Sequence, residues 1–227
     1  MPGPVIALIV VVVVGFIVLS AYLAAKRRKA LTAWAKSKGL RFSADKDRGM
    51  DERFSGFKCL RQGSNRYACN VMQGDWSGRE ITAFDFHYET HSTDSKGRRQ
   101  TRHHRFSAVI LESELPLKPL FIRAESIFDK LTEFFGFDDI DFESAEFSRK
   151  FYVKAEDRRW AYDVIHARTM QFLLDSPAFT IQLDGRHAIA HRSSTFGVDE
   201  FQGAADVVRG ILDRFPDYLV EQLKGEG

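Results

Sequence analysis

From Val5 to Ala25 the chain carries 21 consecutive residues without a charge, mostly Val, Ile, Leu and Ala, and Lys26-Arg27-Arg28-Lys29 follows at once. A helix rises 1.5 Å per residue, so this run covers about 30 Å, the thickness of a bilayer's hydrocarbon core. Lipid offers the backbone no hydrogen-bond partners, which forces the run into a helix even though Val and Ile are middling helix formers in water. Tyr22 stands near the basic end, where interfacial aromatic residues gather. The run therefore predicts a transmembrane helix over residues 5–25, preceded by a short tail over 1–4.

A cleaved signal peptide needs a basic start, a shorter apolar core and small residues placed before the cut. Met1-Pro2-Gly3-Pro4 has no side-chain charge and the apolar run is too long, so the reading is an anchor. Lys26, Arg27, Arg28, Lys29, Lys36, Lys38 and Arg41 place seven positive charges after the run, with no acidic residue before Asp45. By the positive-inside rule the N-terminus lies outside and the rest of the chain in the cytoplasm. The near-zero net charge hides an asymmetry. Removing those seven from the 33 Lys and Arg leaves 26 against 31 acidic residues, so residues 42–227 carry about −5.

The remaining length suffices for one sizeable core or two small ones, and 20 Phe supply much of its apolar volume. Residues 26–55 read as a basic juxtamembrane helix and linker, and 56–227 as a soluble domain with a possible subdivision near residue 125. Leu31, Trp34 and Ala35 share one helical face and Gly39 is a natural stop. Trp34 either packs on the domain or lies in the headgroup layer. With Lys26, Arg27, Arg28 and Lys29 it forms the candidate membrane-surface set. Cys59 and Cys69 are expected to be thiols in a reducing compartment.

Strands are predicted over Arg66–Gln73 and Glu80–Thr90, joined by a turn over Gly74–Gly78. In the second strand Phe84, Phe86 and Tyr88 alternate with Asp85, His87 and Glu89. Arg105–Leu111 is its partner across a long polar loop. Leu117–Arg123 is a separate short strand, held to a sheet edge by Pro119. A short helix or turn near Ser126–Phe135 leads to a strand at Phe151–Val153. Asp157 caps a helix running unbroken from Arg158 to Leu174. Phe179–Leu183 and His187–His191 flank Asp184-Gly185 as a hairpin. A last helix from Val198 is interrupted at Pro216. The fold class is α+β: an N-terminal transmembrane helix, then an antiparallel sheet packed with two amphipathic helices.

No signature of phosphate-cradling loop, nucleophile elbow, metalloprotease helix or calcium loop is present, so no catalytic residue and no cofactor is predicted. His87, His91 and His103 are weak metal-ligand candidates along one sheet edge, with Arg102 and Arg105 opposing a cation there. The five Lys and Arg from Lys96 to Arg105 read first as a solvated hairpin loop, with contact to anionic lipid as the alternative. Asp138, Asp139, Asp141 and Glu143 read as a solvated acidic connector. The predicted partners are the lipid bilayer and an unknown protein. Nucleic acid is excluded by the acidic domain and by aromatics that do not interleave with the basic residues. The single Gly15 gives no small-xxx-small dimer face, although Ser20-Ala21 and Ala24-Ala25 offer short side chains near the anchor's end, so no oligomeric state is predicted.

The stretches Trp34–Phe42, Gly78-Arg79 with Ala83–Phe86, Thr101–Val109 and Asp141–Phe151 resemble a group of bacterial membrane-anchored proteins of actinobacterial type. Phe142-Glu143-Ser144-x-x-Phe147 is the most specific of these pieces. The resemblance implies an inner-membrane protein with an N-terminal anchor and a cytosolic domain, and brings no catalytic residues with it. The leading expectation is a membrane-tethered interaction or scaffold module at the cytoplasmic face, without catalytic activity of its own. Its rival is a metal-binding or hydrolytic domain near His87, His91 and His103.

Overall fold

The computed structural model describes residues 3–93, 97–125 and 140–225. One helix, α1, runs from Gly3 to Ser37. Its apolar stretch is exposed all round, as suits a lipid-facing helix, whereas Leu31, Trp34 and Ala35 are buried in the domain. The stretch long and apolar enough to cross a membrane and the domain stem are thus one continuous helix. It ends in a Schellman motif: Gly39 has φ +71, Gly39 N–H donates to Lys36 O at 3.2 Å, and Leu40 N–H donates to Ala35 O at 2.8 Å.

The residues expected as a linker contribute to the domain. Strand β1 (Arg41–Ser43) joins the sheet, and the short helix α2 (Met50–Arg53) buries Met50. Strands β2 (Ser64–Trp76) and β3 (Arg79–Thr93) form a hairpin. Its two-residue loop is Ser77-Gly78, at φ +55 and +85, the positive-φ turn that matches strand twist. The turn is therefore shorter than the expected Gly74–Gly78, and Gly74 lies inside β2.

Strand β4 (Arg99–Ala124) organises the sheet. One of its edges pairs first with β3 and then with β5 (Phe151–Ala155), while the other pairs with β6 (Thr180–Arg192). The sheet is antiparallel, open and six-stranded, ordered β1-β2-β3-β4-β5 with β6 on the far side of β4. Two expectations are corrected here. Arg105–Leu111 and Leu117–Arg123 are one strand, whose second half is central rather than at an edge. Pro116 and Pro119 fall where the β4–β6 register shifts and before the pairing of β4 with β5 begins at Leu120, so the missing N–H groups break no ladder. Asp184-Gly185 is not a hairpin either. Gly185, at φ +61, stands opposite Leu117 beside the same irregularity, and β6 continues through it as a single strand.

Past residue 140, α3 (Ala145–Lys150) precedes β5. The helix expected over Arg158–Leu174 is two, α4 (Arg158–Val164) and α5 (Ala167–Asp175). Asp157 caps α4, accepting from Trp160 N–H at 3.1 Å. The break falls at His166, which caps α5 by accepting from Arg168 N–H and also bonds Arg214 O at 2.8 Å. These side-chain bonds compensate for the interrupted helical ladder. Helices α6 (Val198–Leu212) and α7 (Asp217–Gly225) follow, separated at Pro216. The short helix expected near Ser126–Phe135 lies outside the described residues, as do Asp138 and Asp139. Asp141 and Glu143 lie outside regular structure.

Both sheet faces are covered. One carries the main core, including the α1 stem, α6 and α7. The other packs Phe84, Phe86, Phe106 and Ile189 beneath Met50, Phe54, Phe57 and Leu60. The alternation read along β3 is present: Phe84 and Phe86 face the smaller cluster. The opposite face is not solvent at its start, because Asp85 and His87 are also buried. The α1 stem makes the difference.

Candidate functional site

Arg27 sits two residues past the apolar run. Its guanidinium grips Asp85 on β3 with both arms, Nη1 to Oδ2 at 2.7 Å and Nη2 to Oδ1 at 2.8 Å. Its Nε–H reaches Phe196 O at 2.8 Å. Asp85 receives two further bonds, from Asn70 Nδ2 at 2.8 Å and from the Ser107 hydroxyl. Ser107 Oγ in turn accepts from Phe196 N–H at 2.9 Å. Four donors thus meet one carboxylate whose side chain is 8% exposed. A bidentate Arg–carboxylate pair fixes orientation as well as charge, so this network sets the angle at which α1 meets the sheet.

The network was hidden by distance: 58 residues separate its two charges. The available signal was Asp85 itself, a carboxylate within an apolar-alternating strand. Arg27, by contrast, reads in sequence as one more member of the basic collar. In the structure Lys26, Arg28 and Lys29 are exposed while Arg27 is half-buried. Trp34 leaves the membrane-surface set altogether. It is 8% exposed, with its ring 5.8 Å from that of Trp76 and 6.2 Å from that of Phe201. Of its two readings the core prevails, because the helix turns this face onto β2 and α6 rather than along the bilayer.

Further along the same sheet face, His87 and His103 meet, with His87 Nε2 3.3 Å from His103 Nδ1. Glu89 Oε1 lies 3.3 Å from His103 Nδ1. Tyr67 stacks on the His87 ring, and His87 Nδ1 faces Asn65 O at 3.2 Å, which directs Nε2 toward the other two groups. Ligand atoms of His87, Glu89 and His103 all lie within 4.8 Å of one another. His91 is not among them: its ring nitrogens bond Ser64 Oγ at 3.1 Å and Thr101 Oγ1 at 3.0 Å. Glu89, which the sequence reading passed over as a ligand, takes that place. The Asn65 amide, foremost, and then the nearby histidines hold the Glu89 carboxyl below the usual glutamate range. His104 points to the other face and stacks on Tyr88.

Beside the last turn of the apolar run, this face opens into a cavity of about 470 Å³ between α1 and the sheet. Cys69 lines it, its thiol pushed up in pKa by burial and then by Asp85. Cys59 is buried beneath the opposite face, and neither cysteine forms a disulfide.

No protein-family model matches the chain, and no curated protein sequence does. Among solved structures, the crystal structure of the mycobacterial trehalose monomycolate transport factor A, TtfA, aligns with a TM-score of 0.60 at 14% identity. The alignment covers 82% of this chain and 92% of that one. At that identity the likeness shows a shared fold: the chain has the α+β architecture of a mycobacterial transport factor.

Proposed function

We propose that this protein is a membrane-tethered accessory module at the cytoplasmic face, which holds a partner at a fixed height and angle to the bilayer and performs no reaction itself. The observation that carries this reading is the continuity of anchor and domain. A single helix supplies both the membrane span and core residues Leu31, Trp34 and Ala35, and the Arg27–Asp85 pair blocks rotation about the junction. A catalytic domain needs only to be tethered, and a flexible linker suffices for that. Rigid orientation is useful when the position of the domain is itself the output. The fold it shares with a transport factor supports an accessory role beside a membrane transport assembly. The collar supports the cytoplasmic orientation.

A photo-crosslinking residue on the exposed domain surface, in the full chain in native membranes, is expected to trap a discrete adduct. Inserting about ten Gly/Ser residues after Ala25 leaves the stem intact but frees its angle. The adduct is expected to disappear on insertion while membrane attachment persists. An adduct that survives, or turnover by the purified chain in a substrate screen, would refute the proposal.

A second reading, divalent-metal binding, is favoured by the His87, Glu89 and His103 triplet, two imidazoles and a carboxylate at ligand spacing. Stoichiometric Zn, Ni or Cu in the purified chain, lost in a His87→Ala/His103→Ala variant, would support it. Metal-free protein after incubation with each ion would end it.

A further inference from the structure

We infer that the cavity between α1 and the sheet is a seat for the phosphate headgroup of an anionic phospholipid, a specific lipid site beyond the general attraction of the collar. The inference rests on the tethered reading and gives it a ligand. Four cations line the cavity, Arg27, Arg28, Lys46 and Arg105, against one carboxylate, Asp85. Arg27 and Asp85 neutralise each other. Arg28 and Arg105 are exposed and have no ion pair or side-chain hydrogen bond among the described residues. Lys46 lies over the Tyr67 ring, 4.3 Å from its centroid, without a carboxylate. Three uncompensated cations from three separate elements therefore converge on one concave space. That arrangement disfavours an empty site and suits a group with several anionic oxygens.

The position selects the ligand. Leu23 and Ala24, from the last turn of the apolar run, form part of the wall. The mouth consequently opens where hydrocarbon gives way to headgroups. A phosphate entering from the bilayer can meet Arg28, Lys46 and Arg105 while its glycerol and chains stay against the apolar helix. A soluble anion gains nothing from such a wall. The buried Arg27–Asp85 pair forms the floor and keeps the α1 side of the cavity at a fixed distance from the β2–β3 side.

The test uses the full chain in nanodiscs of phosphatidylcholine doped with phosphatidylglycerol, with retained lipid counted by native mass spectrometry. One phosphatidylglycerol per chain is expected on the wild type. An Arg28→Gln/Arg105→Gln variant removes two charges from the cavity, and a Lys26→Gln/Lys29→Gln variant removes two from the collar outside it. General surface attraction predicts the same loss for both, about thirtyfold. A seat predicts that loss for the cavity variant and near-wild-type retention for the collar variant. All four residues are exposed, so neither variant disturbs the core, and an unchanged unfolding temperature verifies this. Equal retention in both variants, or equal loss, would overturn the inference. Displacement of the lipid by inorganic phosphate would assign the cavity to a free anion instead, and displacement by an acidic peptide would assign it to a protein partner. Either result refutes the lipid seat. The cavity variant is expected to keep the photo-crosslinked adduct, so the lipid site and the accessory role can fail separately.

Discussion

Replacing Arg27 by Ala removes the cation paired with Asp85 and leaves a carboxylate whose side chain is 8% exposed. Breaking a buried ion pair by deleting one partner costs about 3–5 kcal/mol, because the survivor keeps its desolvation penalty. Two features reduce that figure here. The Arg27 side chain is 28% exposed, so part of its attraction is screened, and Asn70 and Ser107 continue to donate to Asp85. About 2–3 kcal/mol remains. For a domain of this size it corresponds to a fall of about 5–10 °C in unfolding midpoint. The assay is thermal unfolding of the full chain in detergent micelles, followed by near-UV circular dichroism, where Trp34 and Trp76 report on the junction. Asp85→Asn should cost less, since the freed Arg27 can turn toward water whereas an orphaned Asp85 cannot. The double variant should lie closer to Asp85→Asn than additivity predicts, giving a coupling of about 1.5 kcal/mol or more. A shift of under about 2 °C for Arg27→Ala, with strictly additive singles, would refute the argument that this pair locks the anchor.

Two further outcomes test other parts of the structure. Trp34→Ala empties a buried aromatic site and is expected to cost about 3–5 kcal/mol while the chain still sediments with membranes, and an unchanged midpoint with weakened headgroup contact would return Trp34 to the bilayer. Burial holds His187 below 6.5 despite Glu112 and Glu80 beside it, with Arg186 reinforcing the shift and Asp184 opposing it. The unfolded chain therefore takes up this proton first, so stability is complete above about pH 6.5 and declines as pH falls through that value. His187→Gln should flatten that part of the pH profile of the unfolding midpoint, and an undiminished slope would locate the proton elsewhere.

Several elements were legible because their information is local. An uncharged apolar run of this length specifies a helix long enough to cross a membrane, and Gly39 ends it through its own left-handed backbone. Asp157 caps whatever helix follows it. The alternation of Phe84, Phe86 and Tyr88 with Asp85, His87 and Glu89 identifies a strand and its two faces without reference to neighbours.

The sequence by itself thus determined the long apolar helix, its basic flank, the α+β class and the residues sharing each face of β3. Tertiary structure decided the rest, because the deciding partners are remote in the chain. Pro116 and Gly185 looked like chain breaks, yet β4 and β6 absorb both at the same irregular register, and neither signal alone reveals the compensation. Glu89 rather than His91 joins His87 and His103, since side-chain bonds to Ser64 and Thr101 occupy His91. Arg27 is indistinguishable in sequence from Lys26, Arg28 and Lys29. Only the helix phase that buries Leu31, Trp34 and Ala35 turns it onto Asp85, and that contact ties the apolar helix to the sheet.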